Sequence, residues 1–310
     1  MWTAIQEAIF QITGTSVGSM SFWERILYLI AEYGPSYIDG AKNTLIIAVI
    51  STLVGCVIGF AVGIVQTIPV TNRDSAAKRF LVKLCKILLS AYVELFRGTP
   101  MMIQAVFIYY GVPMVFGYHM DTLPAAFLIV SINTGAYMAE TVRGGILSID
   151  PGQTEGAKAI GMTHVQTMIS VILPQTLRNI LPQIGNNLII NIKDTCVLSA
   201  ISVVELFFTH KGVAGATYTY FESATITMAI YLVMTLVFAK LLRWVEKKMD
   251  GDDSYDLATT DTLAHTSGMY RYRDKEEERA KEAARQAKAR KTAGVSDIGN
   301  LNLDQNERGR

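Results

Sequence analysis

One run of residues constrains this chain more than any other: "NTLIIAVISTLVGCVIGFAVGIVQTIPVTN", which carries no charge from Asn43 to Asn72. At 1.5 Å of rise per residue, about 20 apolar residues cross a hydrocarbon core about 30 Å thick. Inside that core every backbone amide must be satisfied within the segment, so the run is expected to be helical. Further apolar stretches run from Lys86 to about Val112, from about Thr122 to Met138, from about Ile180 to Val204, and through "SATITMAIYLVMTLVFA" before Lys240. The fourth is interrupted by Lys193 and Asp194. The pattern predicts an all-α integral membrane protein with five transmembrane helices, its membrane domain spanning residues 41–250. Residues 22–38, "FWERILYLIAEYGPSYI", are too short and too charged to span. They predict an interfacial amphipathic helix within an extracytoplasmic segment of residues 1–40. The first residues lack the basic region of a cleaved signal peptide.

Composition narrows the function classes. The formal net charge is +1 over 310 residues, and no basic face stands out in the membrane part, which argues against nucleic acid as a partner. Cys56, Cys85 and Cys196 lie in or beside apolar segments and read as small buried hydrophobes. His119, His164, His210 and His265 have no metal-ligand spacing. The chain has no G-x-x-x-x-G-K-[ST] phosphate loop, so any ATP and magnesium would be bound by a partner subunit. No cofactor is expected in this chain.

Orientation follows from lysine and arginine in the short loops, which favour the cytoplasmic side. Arg73, Lys78, Arg79, Lys83 and Lys86 follow the first span, while the loop near "GYHMD" has no Lys or Arg. Arg143, Lys158 and Arg178 mark the loop of residues 143–178, Lys211 stands alone in the next, and Lys240, Arg243, Lys247 and Lys248 follow the last span. The alternation puts the N-terminus outside and the C-terminus inside.

The second span is broken. In "YVELFRGTPMMIQAVFIYYG", Pro100 lacks a backbone donor and would clash with the carbonyl four residues back. A half-helix could start there, with Thr99 as N-cap and Pro100 at the first position. Gly98, Thr99 and Pro100 would lie near the middle of the membrane, with free amides suited to a carboxylate. Glu94 and Arg97, spaced i,i+3, lie just before the break. The plainer alternative is that these two pair with each other and the proline only kinks a helix. Asn133, Tyr137 and Glu140 share one face of the third span; Asn187, Asn191 and Asp194 are similarly spaced on the fourth, where "IKDT" is a second candidate break. Such stripes frame a hydrated pathway, or serve as hydrogen-bonded glue between helices.

The stretch "GQTEGAKAIGMTHVQTMISVILPQ" is a different kind of segment. Asp150 is a plausible N-cap with Pro151 at the first helical position, and Glu155 and Lys158 share a face. Gly161 interrupts where a positive φ or a close approach is needed. Thr163 and Gln166 form a capping box. Val165, Met168, Ile169 and Ile172 make an apolar stripe that Pro174 is expected to end. A helix–turn–helix of this shape on a cytoplasmic surface suits a groove in a partner, or packs on its own bundle.

"EGAKAIGMTHVQTMISVILPQ" resembles the EAA loop of ABC importer permeases. Glu155, Ala157, Gly161, Leu173 and Pro174 match the pattern, Gly156 replaces its first alanine, and Val171 takes the isoleucine position. "YVELFRGTP", "INTGAYMAETVRGGI" and "LRNILPQIGNNLIINIKDTCVLSAISVVEL" resemble the polar amino acid uptake subfamily of histidine and glutamine permeases, over residues from about 40 to 250. The resemblance implies a type I importer bundle in which residues 150–174, with Lys158 among them, are a coupling helix seated on a cytoplasmic ATPase subunit. It also implies a second permease subunit (a copy or a paralogue), an extracytoplasmic binding protein that delivers the amino acid, and a cell-membrane location. ATP binding and hydrolysis would switch the pair between outward- and inward-facing states; a swing from 1:99 to 99:1 takes about 5.5 kcal/mol of differential binding. The rival is an ion-coupled secondary carrier, which also wants broken helices. It has no use for a docking loop, and five spans give no inverted repeat. Residues 251–310 read as a polar linker and a charged Ala/Glu/Lys/Arg stretch, a solvated tail or lone helix that can touch membrane lipid.

Overall fold

A computed structural model describes residues 20–70 and 75–250. The expectations for the first 19 residues, for residues 71–74 and for the tail at 251–310 lie outside the described residues. Within them, α1 runs Phe22–Thr67, α2 Ala76–Gly98, α3 Met101–Phe116, α4 Thr122–Leu147 and α5 Pro151–Ala159. The short α6, His164–Thr167, passes through a π turn at Met168–Ile172 into α7, Leu173–Asp194. A 3₁₀ segment at Thr195–Ile201 precedes α8, Leu206–Thr217, and α9, Tyr220–Asp250. Among the described residues α1, α4 and α9 are each long and apolar enough to cross a membrane. The bent pairs α2–α3 and α6-to-α8 bring the count to five if each is one span.

The centre is the α1–α4 pair. Gly55, Gly59 and Gly63 recur every fourth residue on α1, so they share one face and let the backbones close up. A Cβ on Gly59 would meet Met138 Cβ at 2.3 Å and the backbone of Met138 and Ala139 at 2.8 and 2.9 Å. A Cβ on Gly55 would meet Thr134 Cβ at 2.6 Å, and one on Gly63 would meet Val142 Cβ at 2.8 Å. In lipid there is little hydrophobic drive between helices, so this shape match and buried hydrogen bonds supply the association. Asn191 of α7 provides such bonds, donating to Thr52 Oγ1 on α1 at 2.8 Å and Thr134 Oγ1 on α4 at 2.9 Å. α9 packs beside α1 and α7, with Leu242 filling the space over Gly185, while Leu232, Val233, Leu236 and Val237 stay exposed.

Two sequence expectations change here. Residues 22–38 are not a separate interfacial helix; they continue into the first span as one helix of 46 residues. Pro35 lies inside it, yet packing overrides the local break: Leu29 and Tyr37 are buried with Leu206, Val213 and Ile226, and Arg25 pairs with Glu222 at 3.1 Å. At about 69 Å the helix is longer than a core of about 30 Å needs. Likewise "IKDT" is not unwound. α7 continues through Lys193 and Asp194, then tightens to 3₁₀, and the chain leaves helix at Ser202, which has φ 62°. Glu205 decides that point. Fully buried, its carboxylate caps α8 by accepting from Phe207 N at 2.8 Å and Phe208 N at 2.6 Å, and it accepts from Tyr231 Oη at 3.0 Å.

Candidate functional site: a pinned break and a docking loop

The break at Gly98–Pro100 is present and sharp, with α2 and α3 meeting at 113°. The cap differs from expectation by one residue. Pro100 is the N-cap and Met101 the first helical residue. A residue before proline is pushed to extended backbone, and Thr99 accordingly has φ −122° and ψ 147°. Its hydroxyl donates back to Leu95 O at 2.8 Å instead of capping α3.

Gln104 holds this geometry, and sequence reasoning missed it. Its side chain is buried under the break, and Nε2 donates to Phe96 O at 2.8 Å, Thr99 O at 2.9 Å and Thr99 Oγ1 at 2.8 Å. Asn133 on α4 donates to Gln104 Oε1 at 2.9 Å and to Phe96 O at 3.2 Å. Carbonyls left without intrahelical partners at the end of α2 are thereby satisfied. Asn133 is therefore buried beneath the break, with its amide engaged by Gln104 and Phe96. The expected cost of Gln104→Leu is about 2–4 kcal/mol, because buried carbonyls lose their donors. Gln104→Leu and Asn133→Leu together should cost less than the sum of the two, since both serve Phe96 O. Thermal melting of the detergent-purified variants checks this; strict additivity would mean the two amides act independently.

The charges are arranged across helices. Arg97 does not pair with Glu94. Its guanidinium lies 5.6 Å from the Tyr137 ring centroid and 3.6 Å from Glu140 Oε2, while Arg143 meets Glu140 Oε1 at 2.8 Å. Arg97, Tyr137 and Glu140 remain about 40% exposed, and Glu94, Gly98, Thr99 and Pro100 are exposed as well. One accessible face thus combines the break, a carboxylate held by two guanidinium groups, and an aromatic ring under a cation. Such a surface can meet both a carboxylate and an ammonium group.

The polar residues of α7 do not join it. Asn191 is locked between Thr52 and Thr134, Asn187 is buried and reaches only Gln183 O of its own helix at 3.4 Å, and Asp194 is exposed at the end of α7. A second buried network that sequence reasoning missed links α1, α8 and α9: Ser223 Oγ lies 2.6 Å from Tyr37 Oη and 2.8 Å from His210 Nδ1. Among the described residues no group of three or more His, Cys, Asp or Glu could hold a metal ion.

The loop is built largely as its local sequence dictates. Asp150 Oδ1 accepts from Gly152 N at 2.7 Å, and Pro151 starts α5. Gly161 has φ 85°, with Gly161 N on Lys158 O at 3.0 Å and Met162 N on Ala157 O at 3.1 Å. These are the paired bonds of a Schellman ending, which requires the left-handed residue that glycine supplies. Thr163 N donates to Gln166 Oε1 at 2.8 Å and Gln166 N to Thr163 Oγ1 at 3.3 Å, the expected capping box. Glu155, Gly156 and Lys158 point to solvent with Ile160, Val165 and Ile169, while Ala157 is buried. The stripe therefore splits: Ile172, partly with Met168, packs inward against Val142, Ile146 and Ile180, and Val165 and Ile169 face out. Pro174 does not end the helix. Leu173 and Pro174 open α7, and the π turn before them absorbs the proline's missing donor.

Residues 75–251 match the family described as the binding-protein-dependent transport system inner membrane component. The glutamine transport system permease protein GlnP of Escherichia coli is 37% identical over 216 residues, covering 69% of this chain and 93% of that protein. The arginine transport system permease protein ArtQ of Bacillus subtilis is 31% identical over 219 residues, covering 71% and 94%. Among solved structures, an amino acid ABC transporter crystallised with histidines aligns with 35% identity and a TM-score of 0.64, over 74% of this chain and 99% of that one. An inward-facing MetNI methionine ABC transporter aligns at 21% identity and a TM-score of 0.53, over 69% and 97%, a likeness of fold alone.

Proposed function

Since this chain belongs to the family of binding-protein-dependent transport system inner membrane components, we propose that it carries a polar amino acid inward through the cytoplasmic membrane. It is the permease subunit of an ABC importer, and its family leaves the ion-coupled carrier without support. The cargo class rests on its relatives, named for glutamine and arginine transport, and on the paired charges beside the break. The pathway runs past Glu94, Arg97, Gly98, Thr99, Pro100, Tyr137 and Glu140, with Asn133 holding the break from behind. Asn191 acts by holding α7 to the bundle, while Asn187 and Asp194 stay on α7 without a bond to another helix among the described residues.

Residues 150–174 dock on a cytoplasmic ATPase subunit, which binds ATP and magnesium. The observation that carries this is the exposed face of Glu155, Gly156, Lys158, Ile160 and Val165 on two helices fixed by their own caps. A surface already rigid loses little entropy on binding. A second permease subunit closes the pathway, and an extracytoplasmic binding protein delivers cargo on the side of the N-terminus, opposite the loop and the C-terminus. Residues 41–250 form the membrane domain.

Glu155→Arg reverses charge on that face without touching the bundle. We expect the variant to insert normally and to lose the co-purifying ATPase subunit at least tenfold, read by mass spectrometry of mild-detergent pull-downs. Retention equal to that of the unaltered protein would remove the docking assignment.

A further inference from the structure

The loop joins the bundle through one irregular turn. Between α6 and α7 the helix widens at Met168–Ile172, and Leu173 N reaches back five residues to Met168 O. Pro174 is the cause: it has no N–H, and its ring would strike the carbonyl four residues back, so the wider turn swings that carbonyl aside.

Three observations meet there. Gln175 Nε2 donates to Val171 O in the turn at 2.8 Å and to Gln153 Oε1 on α5 at 3.4 Å, so one side chain ties α5, the turn and α7 together. Ile172 is buried against Val142 and Ile146 of α4 and Ile180 of α7, so the turn cannot shift without those helices responding. Finally, Thr176 in the next turn has a fully buried hydroxyl with no hydrogen-bond partner among the described residues, and its methyl group sits against Gly145, where an added Cβ would meet it at 3.0 Å. A buried hydroxyl left unpaired disfavours this packing relative to one that gives it a partner. From Thr176 the helix runs to Asn191, about 22 Å along its axis, where the amide engages Thr52 and Thr134.

Resting on the reading of residues 150–174 as the ATPase-docking loop, we propose that the π turn Met168–Ile172 and Gln175 form the relay through which α5 moves α7, with Gln175 as a positioning residue. Because Pro174 keeps the turn from closing to an ordinary helical one, a pull on α5 passes through it as a shift of α7 along its axis. Asn191 then delivers that shift to the α1–α4 pair.

The test uses the complete transporter in liposomes, with its ATPase subunit and binding protein, and radiolabelled L-glutamine and L-arginine as cargo probes. Gln175→Leu keeps the volume but loses the donor; Gln175→Lys still reaches both oxygens with N–H groups. Gln175→Leu should retain the ATPase subunit and keep basal hydrolysis within twofold, while amino acid imported per ATP falls about fivefold. Gln175→Lys should stay within twofold of the unaltered protein. Equal import per ATP in Gln175→Leu, or an equal fall in Gln175→Lys, would overturn the relay. Loss of the ATPase subunit from Gln175→Leu would overturn it as well, since Gln175 would then shape the docking face. Failure of the docking reading shows separately, as retention of the ATPase subunit by Glu155→Arg.

Discussion

Gly59→Val is expected to leave no protein that survives purification in detergent as a single species. The first added carbon alone would stand 2.3 Å from Met138 Cβ and under 3 Å from backbone atoms of α4, which cannot rotate away as a side-chain tip could. Relief requires α1 and α4 to separate along the face that also carries Gly55 and Gly63. Overpacking ordinarily costs about 1–3 kcal/mol, and a clash with backbone at the centre of the bundle belongs at or above the upper end. Gly144→Ala is the control: it is also on α4, but a Cβ there meets nothing within 4 Å among the described residues, and it should melt like the unaltered protein. A Gly59→Val variant that remained monodisperse and melted within about 2 °C of the unaltered protein, a shift worth under 1 kcal/mol, would mean the two helices are not held at this distance.

Glu205→Ala is the second large effect. The carboxylate accepts from two amides at the start of α8 and from Tyr231 on α9, and none of its surface reaches solvent. Removing it leaves three buried donors unpaired, at about 1–3 kcal/mol each before relaxation, so a net loss of about 3–5 kcal/mol is expected. Glu205→Gln should fall in between, because its amide oxygen still accepts while its NH₂ opposes a donor. Tyr231→Phe should cost only about 1 kcal/mol, the net worth of one hydrogen bond. Thermal melting of the four proteins gives the order; if alanine and glutamine melted alike, the carboxylate would not be capping α8.

The two halves of the candidate site differed in how far the sequence exposed them. The loop was legible because its structure is local: Asp150, Pro151, Gly161, Thr163 and Gln166 each act on a backbone group within five residues. The exception within it, Pro174, was misread because its outcome depended on Ile172 finding a pocket among α4 and α7. At the break, Gly98-Thr99-Pro100 marked the place from sequence alone. The choice of Pro100 as cap, the turn of Arg97 towards Glu140, and the burial of Asn133 were settled by residues on other elements. The triplet Gly55, Gly59, Gly63 was a signal available in the chain at four-residue spacing, and Glu205 stood out as a lone acid in an apolar run.

Apolar run lengths, loop charges and local capping residues therefore determined, by sequence alone, that this is a helical membrane protein of about five spans with a folded loop between the third and fourth. Those properties depend on bilayer thickness and on neighbours within a turn or two. Only the tertiary structure decided which polar residues bind the helices together and which stay exposed. In hydrocarbon a buried amide or carboxylate takes whatever partner lies within reach. That partner is set by how closely Gly59 lets α1 approach α4, and by what Gln104 and Asn133 find beneath the break.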